Sequence, residues 1–156
     1  MKRIAIISIS LLIGAVLSAQ QKGDTGIQLI TEYPTVQDAV SGIMSVLAQS
    51  GIAPEKADKD LGMVNTTALS TKTSATLQAY FYAYAQSDTV YVNVTGQGYS
   101  GVHISHLADN PIQVTRKGQK GSILLSQWET LEALALKIPH TDVKYINPNP
   151  TEKKRK

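Results

Sequence analysis

No cysteine occurs in the 156 residues. That absence excludes the disulfide framework on which many small secreted domains depend, and with it the acylated cysteine that tethers an exported lipoprotein. Phenylalanine and tryptophan occur once each, so the aromatic content rests on seven tyrosines, residues with an apolar ring and a polar tip. Long apolar runs are missing as well. The one stretch that approaches such a run, residues 4–16, is diluted by Ser8, Ser10 and Gly14 and falls short of the roughly 20 residues needed to span a bilayer.

A charge excess of one sign is also lacking in the body of the chain. The formal net charge is +3, but Lys2 and Arg3 stand at one end and Lys153, Lys154, Arg155 and Lys156 at the other. Between residues 20 and 151 there are nine Lys/Arg and eleven Asp/Glu, a net of −2. A basic surface tracking phosphates is therefore not expected on the folded part, which argues against nucleic acid as a partner. The terminal basic cluster suits peripheral contact with an anionic envelope surface, each residue contributing about 1 kcal/mol near such a surface and less in salt. A solvated tail is the plainer alternative.

What is present begins with the amino terminus. Lys2 and Arg3 precede the short apolar stretch, and Leu17-Ser18-Ala19 supplies small residues before Gln20. Charged start, apolar middle and small exit are the order of a cleaved secretory signal, so the expectation is export to the periplasm or beyond, without a lipid anchor. The remaining chain of about 137 residues falls in the single-domain range. The expected organisation is a signal at residues 1–19, a flexible leader at 20–34 with one short extended piece at residues 27–30, one domain at 35–146, and a Pro/Asn-rich and basic tail at 147–156.

Within that domain, Val36, Ala39, Val40, Ile43, Met44, Val46 and Leu47 recur at helical spacing and draw one apolar stripe, with Thr35 placed to cap it and Gly51 to end it. Leu77, Ala79, Phe81, Ala83 and Ala85 then alternate with Gln78, Tyr80, Tyr82 and Tyr84, the period of a strand. A turn at residues 86–88 leads into Val90, Val92 and Val94 alternating with Tyr91, Asn93 and Thr95, completing a hairpin. Gly96, Gly98 and Gly101 suggest a loop or bulged strand end. A further strand is expected at residues 112–116. The Ser126-x-x-Glu129 spacing predicts a capping box opening a second helix, striped by Trp128, Leu131, Leu134, Ala135 and Ile138 and stopped by Pro139. Residues 143–146 add an edge strand. Both stripes are buried most simply by a two-layer α+β sandwich: helix, three or four antiparallel strands, helix, with both helices on one face.

The helix ending near Gly51, followed by Ala57-Asp58-Lys59-Asp60-Leu61-Gly62-Met63-Val64-Asn65-Thr66, resembles the helix-to-strand junction of small helix-grip domains in bacterial envelope proteins, the BamC-type outer-membrane assembly lipoproteins among them. The resemblance covers some thirty residues and rests on an acid-glycine-aliphatic-threonine pattern. It lacks the lipid-bearing cysteine of those proteins. It implies an accessory role in the envelope and transfers no site.

Among chemistry-bearing residues, His103 and His106 have a spacing that brings two metal ligands together on a helix. Their strand-like context points them apart, and Asp109 is the one further candidate ligand nearby, so ordinary histidines are the expectation. A hydrolytic triad would need His103 or His140 beside a hydroxyl and an acid, and no nucleophile motif is present. The glycines at 96–101 lack the following helix and placed lysine of a phosphate cradle, and no cofactor is implied. The most informative cluster is Tyr80, Tyr82, Tyr84 and Tyr91 with Gln78 and Asn93, which alternation places on the sheet side away from the helices. Such a platform of rings and hydroxyls suits a protein, peptide or glycan partner, although tyrosines also pair across strands for stability alone. The expectation is a non-catalytic binding module. A rival expectation is a small apolar-ligand carrier with a pocket between helices and sheet lined by Met44, Met63, Phe81 and Trp128.

Overall fold

A computed structural model describes residues 23–99 and 111–147. It is an α+β structure with one antiparallel sheet and two helices. The centre is the hairpin of β5 (Thr76–Gln86) and β6 (Thr89–Tyr99), eleven residues each and paired throughout. The intervening Ser87 has φ +53°, the positive value that the first position of a primed hairpin turn demands.

The sheet is wider than the three or four strands expected, with eight. β2 (Pro54–Asp58) and β3 (Met63–Thr66) extend it on the β5 side, and β1 (Gly26–Thr31) and β8 (Asp142–Ile146) on the β6 side, in the order β2-β3-β5-β6-β1-β8. Two-residue strands β4 (Leu69–Ser70) and β7 (Ile112–Gln113) flank the far ends of β5 and β6. The flexible leader is thereby corrected. β1 pairs with β6 on one side and β8 on the other, and Ile27 and Leu29 are completely buried. Asp24 is buried as well, and Arg116 donates its backbone N–H to the Asp24 carbonyl at 2.8 Å. Strand structure is therefore already present at Gly26, ahead of the expected boundary at Thr35.

The strand forecast at residues 112–116 shrinks to Ile112–Gln113. The loop forecast from the glycines is overturned for Gly96 and Gly98, which continue β6 as regular strand. They are glycines because of what lies above them: a Cβ on Gly96 would come within 2.8 Å of Leu77 Cδ1, and one on Gly98 would strike the Gln127 amide. Removing the side chains lets the sheet approach the second helix closely.

Helix α1 (Val36–Gln49) starts as its sequence implies, with Thr35 as N-cap accepting from the Asp38 amide at 3.1 Å. Helix α2 (Ile123–Ala135) does not. Its N-cap is Ser122, whose hydroxyl accepts from the Leu125 amide at 3.3 Å, whereas Ser126 lies one turn inside the helix, buried. Ala39, Val40, Ile43 and Leu47 from α1, and Trp128, Leu131, Leu134 and Ala135 from α2, join the inward residues of β5, β6 and β1 in a single apolar cluster with Phe81 near its centre. Burying each large member contributes about 1.5–3 kcal/mol. The alternate residues of the same strands emerge on the other side of the sheet. Among the described residues no helix is long and apolar enough to cross a membrane.

Candidate functional site

Strand alternation carries the site. Because Leu77, Ala79, Phe81 and Ala83 enter the core, Thr76, Gln78, Tyr80, Tyr82 and Tyr84 must leave the sheet on its opposite face. The register then sets their neighbours: Tyr84 faces Tyr91, Tyr82 faces Asn93, Tyr80 faces Thr95, Gln78 faces Gln97 and Thr76 faces Tyr99. Gln28 of β1 lies beside Asn93, and Asn65 and Met63 of β3 beside Tyr80 and Tyr82.

Three of the rings form a ladder. Tyr82 and Tyr84 stack at 5.8 Å between centroids and 21° between planes, and Tyr84 and Tyr91 at 5.4 Å and 17°. Offset stacking of this kind adds about 0.5–1.5 kcal/mol per pair beyond area burial. Gln28 Nε2 donates to Tyr84 Oη at 2.8 Å and to Asn93 Oδ1 at 3.2 Å, so both of its amide protons are used. Tyr82 is 48% exposed, and among the described residues the Tyr82 and Tyr91 hydroxyls have no hydrogen-bond partner.

Further along the hairpin the face becomes an amide network. The Tyr80 hydroxyl lies 2.8 Å from Gln78 Oε1 and 2.9 Å from Gln97 Oε1 and shares its one proton between them. Gln78 Nε2 donates in turn to Glu55 Oε2 of β2. Burial first, then Tyr99 and Glu55 nearby, push the Tyr80 phenol above its usual range, because each disfavours a second negative charge. Beyond this network lies a groove of about 310 Å³ lined by Glu55, Thr67, Ala68, Thr76, Gln78 and Tyr99.

The six residues singled out from alternation, Gln78, Tyr80, Tyr82, Tyr84, Tyr91 and Asn93, are thus placed on one face. Gln28, Gln97, Glu55, Thr76 and Tyr99 belong to the same surface and escaped sequence reading. Gln97 and Tyr99 simply continue the alternation past Gly96 and Gly98, a signal masked by the glycines. His103, His106 and Lys153–Lys156 lie outside the described residues. His140 places Nδ1 2.6 Å from the Ile138 carbonyl oxygen, with neither a hydroxyl nor an acid bonded to it. Among the described residues no group of three His, Asp or Glu side chains converges as a metal site.

The four residues of the carrier reading are divided by the sheet. Phe81 and Trp128 are packed within the core and Met44 lies against it, while Met63 faces outward beside Tyr82. A second groove, about 300 Å³, runs over Ile52, Leu69 and Leu134 with Lys72 and Lys137 among its walls. None of the four lines it.

Fold and face together define the class: an antiparallel α+β protein whose helix-free sheet surface carries stacked tyrosines and amides. No model of a known protein family matches the chain, and no curated protein matches it in sequence.

Proposed function

We propose that this protein is an exported, non-catalytic binding module of the cell envelope, which holds a protein, peptide or glycan partner on the tyrosine and amide face of its sheet. The observation that carries the reading is the Tyr82–Tyr84–Tyr91 ladder, a set of mutually stacked rings whose hydroxyls at Tyr82 and Tyr91 have no partner among the described residues. Rigid aromatic groups with a free polar tip are the residues that dominate binding surfaces. The charged start, apolar middle and small exit of residues 1–19 support export, and the helix-grip resemblance supports an accessory place in the envelope.

Site-specific photocrosslinking in the native envelope tests it. A crosslinking amino acid in place of Tyr82 is expected to give a discrete adduct. The same group at Gln37, exposed on α1, is expected to give none. Introducing Tyr91→Ser alongside the Tyr82 probe should reduce that adduct while lowering stability by about 1 kcal/mol, the span of strand preferences at exposed sites. Equal adducts from positions 82 and 37 would sink the reading.

A further inference from the structure

Resting on this reading of the face, we propose that the groove at its Thr76 end is a subsite for one pyranose ring of a neutral glycan. Its place is defined by the hairpin register. Thr76 opposes Tyr99 and Gln78 opposes Gln97, so the groove continues the tyrosine surface through the Tyr80–Gln78–Gln97 hydrogen bonds. Glu55 from β2, with Thr67 and Ala68 between β3 and β4, contributes further lining. At about 310 Å³ the groove is at the small end of ligand sites, which run from roughly 300 Å³ upward, and so accommodates one ring rather than a folded peptide segment.

The lining selects the chemistry. Among the described residues Glu55 is the one ionised side chain in the groove, and Gln78 Nε2 occupies its Oε2, leaving Oε1 to accept from a ligand hydroxyl. Thr67 donates its hydroxyl proton to the Ala53 carbonyl at 3.3 Å and so faces a ligand as an acceptor. Thr76 Oγ1 is closed off from solvent, so Thr76 offers the groove no hydroxyl. Two adjacent sugar hydroxyls supply what the Glu55 and Thr67 oxygens need, since each both donates and accepts, while the Tyr99 ring offers an apolar wall to the C–H face of the sugar. An acidic sugar or a phosphate would meet the Glu55 charge with nothing to balance it.

Titration calorimetry of the full chain with a panel of oligosaccharides decides the matter: neutral α- and β-linked glucose and N-acetylglucosamine tetramers, an oligogalacturonate and a basic peptide. The expected result is saturable binding of at least one neutral tetramer, insensitive to salt because no charge pair forms. Glu55→Gln and Thr67→Val, separately, should each weaken it by roughly tenfold while the chain still melts cooperatively. Binding of the acidic sugar or the basic peptide alone, binding of nothing in the panel, or affinity unchanged in both variants overturns the proposal. A Tyr82→Ser/Tyr91→Ser chain separates the two readings. If it loses the neutral tetramer while the groove variants keep it, the groove falls and the face stands; if none of the variants matters, both fall.

Discussion

Tyr80 shows how one side chain couples the face to the stability of the whole. Its phenol is raised above the 10.0 of an ordinary tyrosine, so the folded chain holds that proton more tightly than the unfolded chain does. The contribution is complete below pH 10 and is lost as pH climbs through the raised value. Deprotonation also removes the donor shared by Gln78 and Gln97. Urea midpoints measured across the alkaline range should therefore fall above about pH 10. Tyr80→Phe should flatten that fall without abolishing it, because the Tyr33 phenol, raised by burial, contributes the rest. The face itself was legible because period-two alternation is local: Tyr80, Tyr82 and Tyr84 announce their side within five residues. Glu55 and Gln28 were not, since they reach the face through strand pairings 23 and 65 positions away in the chain, and no local pattern encodes such a partner.

At the scale of elements, α2 gives the sharpest contrast between pattern and packing. Ser126-x-x-Glu129 has the spacing of a capping box, yet Ser122 makes the cap and the buried Ser126 hydroxyl has no partner among the described residues. Ser122→Ala should lower stability by about 1 kcal/mol, the usual worth of such a cap. Ser126→Ala should be neutral or stabilising, because it removes a buried polar atom that gains nothing. Thermal melts of the two single variants check both signs, and a larger loss at Ser126 would restore the capping box. One strand escaped sequence reading and another was read only as a short extended piece at residues 27–30 within the leader. β2, Pro-Glu-Lys-Ala-Asp, carries residues that disfavour strands, and is tolerated because it lies at the sheet edge with a register shift between Pro54 and Lys56. β1, Gly-Ile-Gln-Leu-Ile-Thr, is buried on its inner side but too short for its alternation to stand out behind Gly23 and Gly26.

For the whole molecule, the order of strands in space departs most from the order in sequence at β1. The first strand sits between β6 and β8, and loses neither neighbour without exposing Ile27, Leu29, Val92 and Val94 together. A chain beginning at Thr31 is thus expected to show no cooperative unfolding transition, whereas one beginning at Lys22 should unfold like the full chain. Circular dichroism melts of the two truncations make the comparison, and a cooperative melt from the shorter one would show that β1 is dispensable. Both edges are guarded against growth by addition: Pro54, Lys56 and the bulge on one side and Lys144 on the other are the devices that keep edge strands from pairing with neighbours.

The ring ladder carries one more consequence. Each tyrosine in it has already surrendered its rotational freedom on folding, held by the next ring and, for Tyr84, by Gln28. Ordering a mobile side chain at a contact ordinarily takes about 0.5–1.5 kcal/mol from the affinity. Here that loss of entropy falls on the folding of the hairpin, so a ligand bound as proposed would meet groups already preorganised.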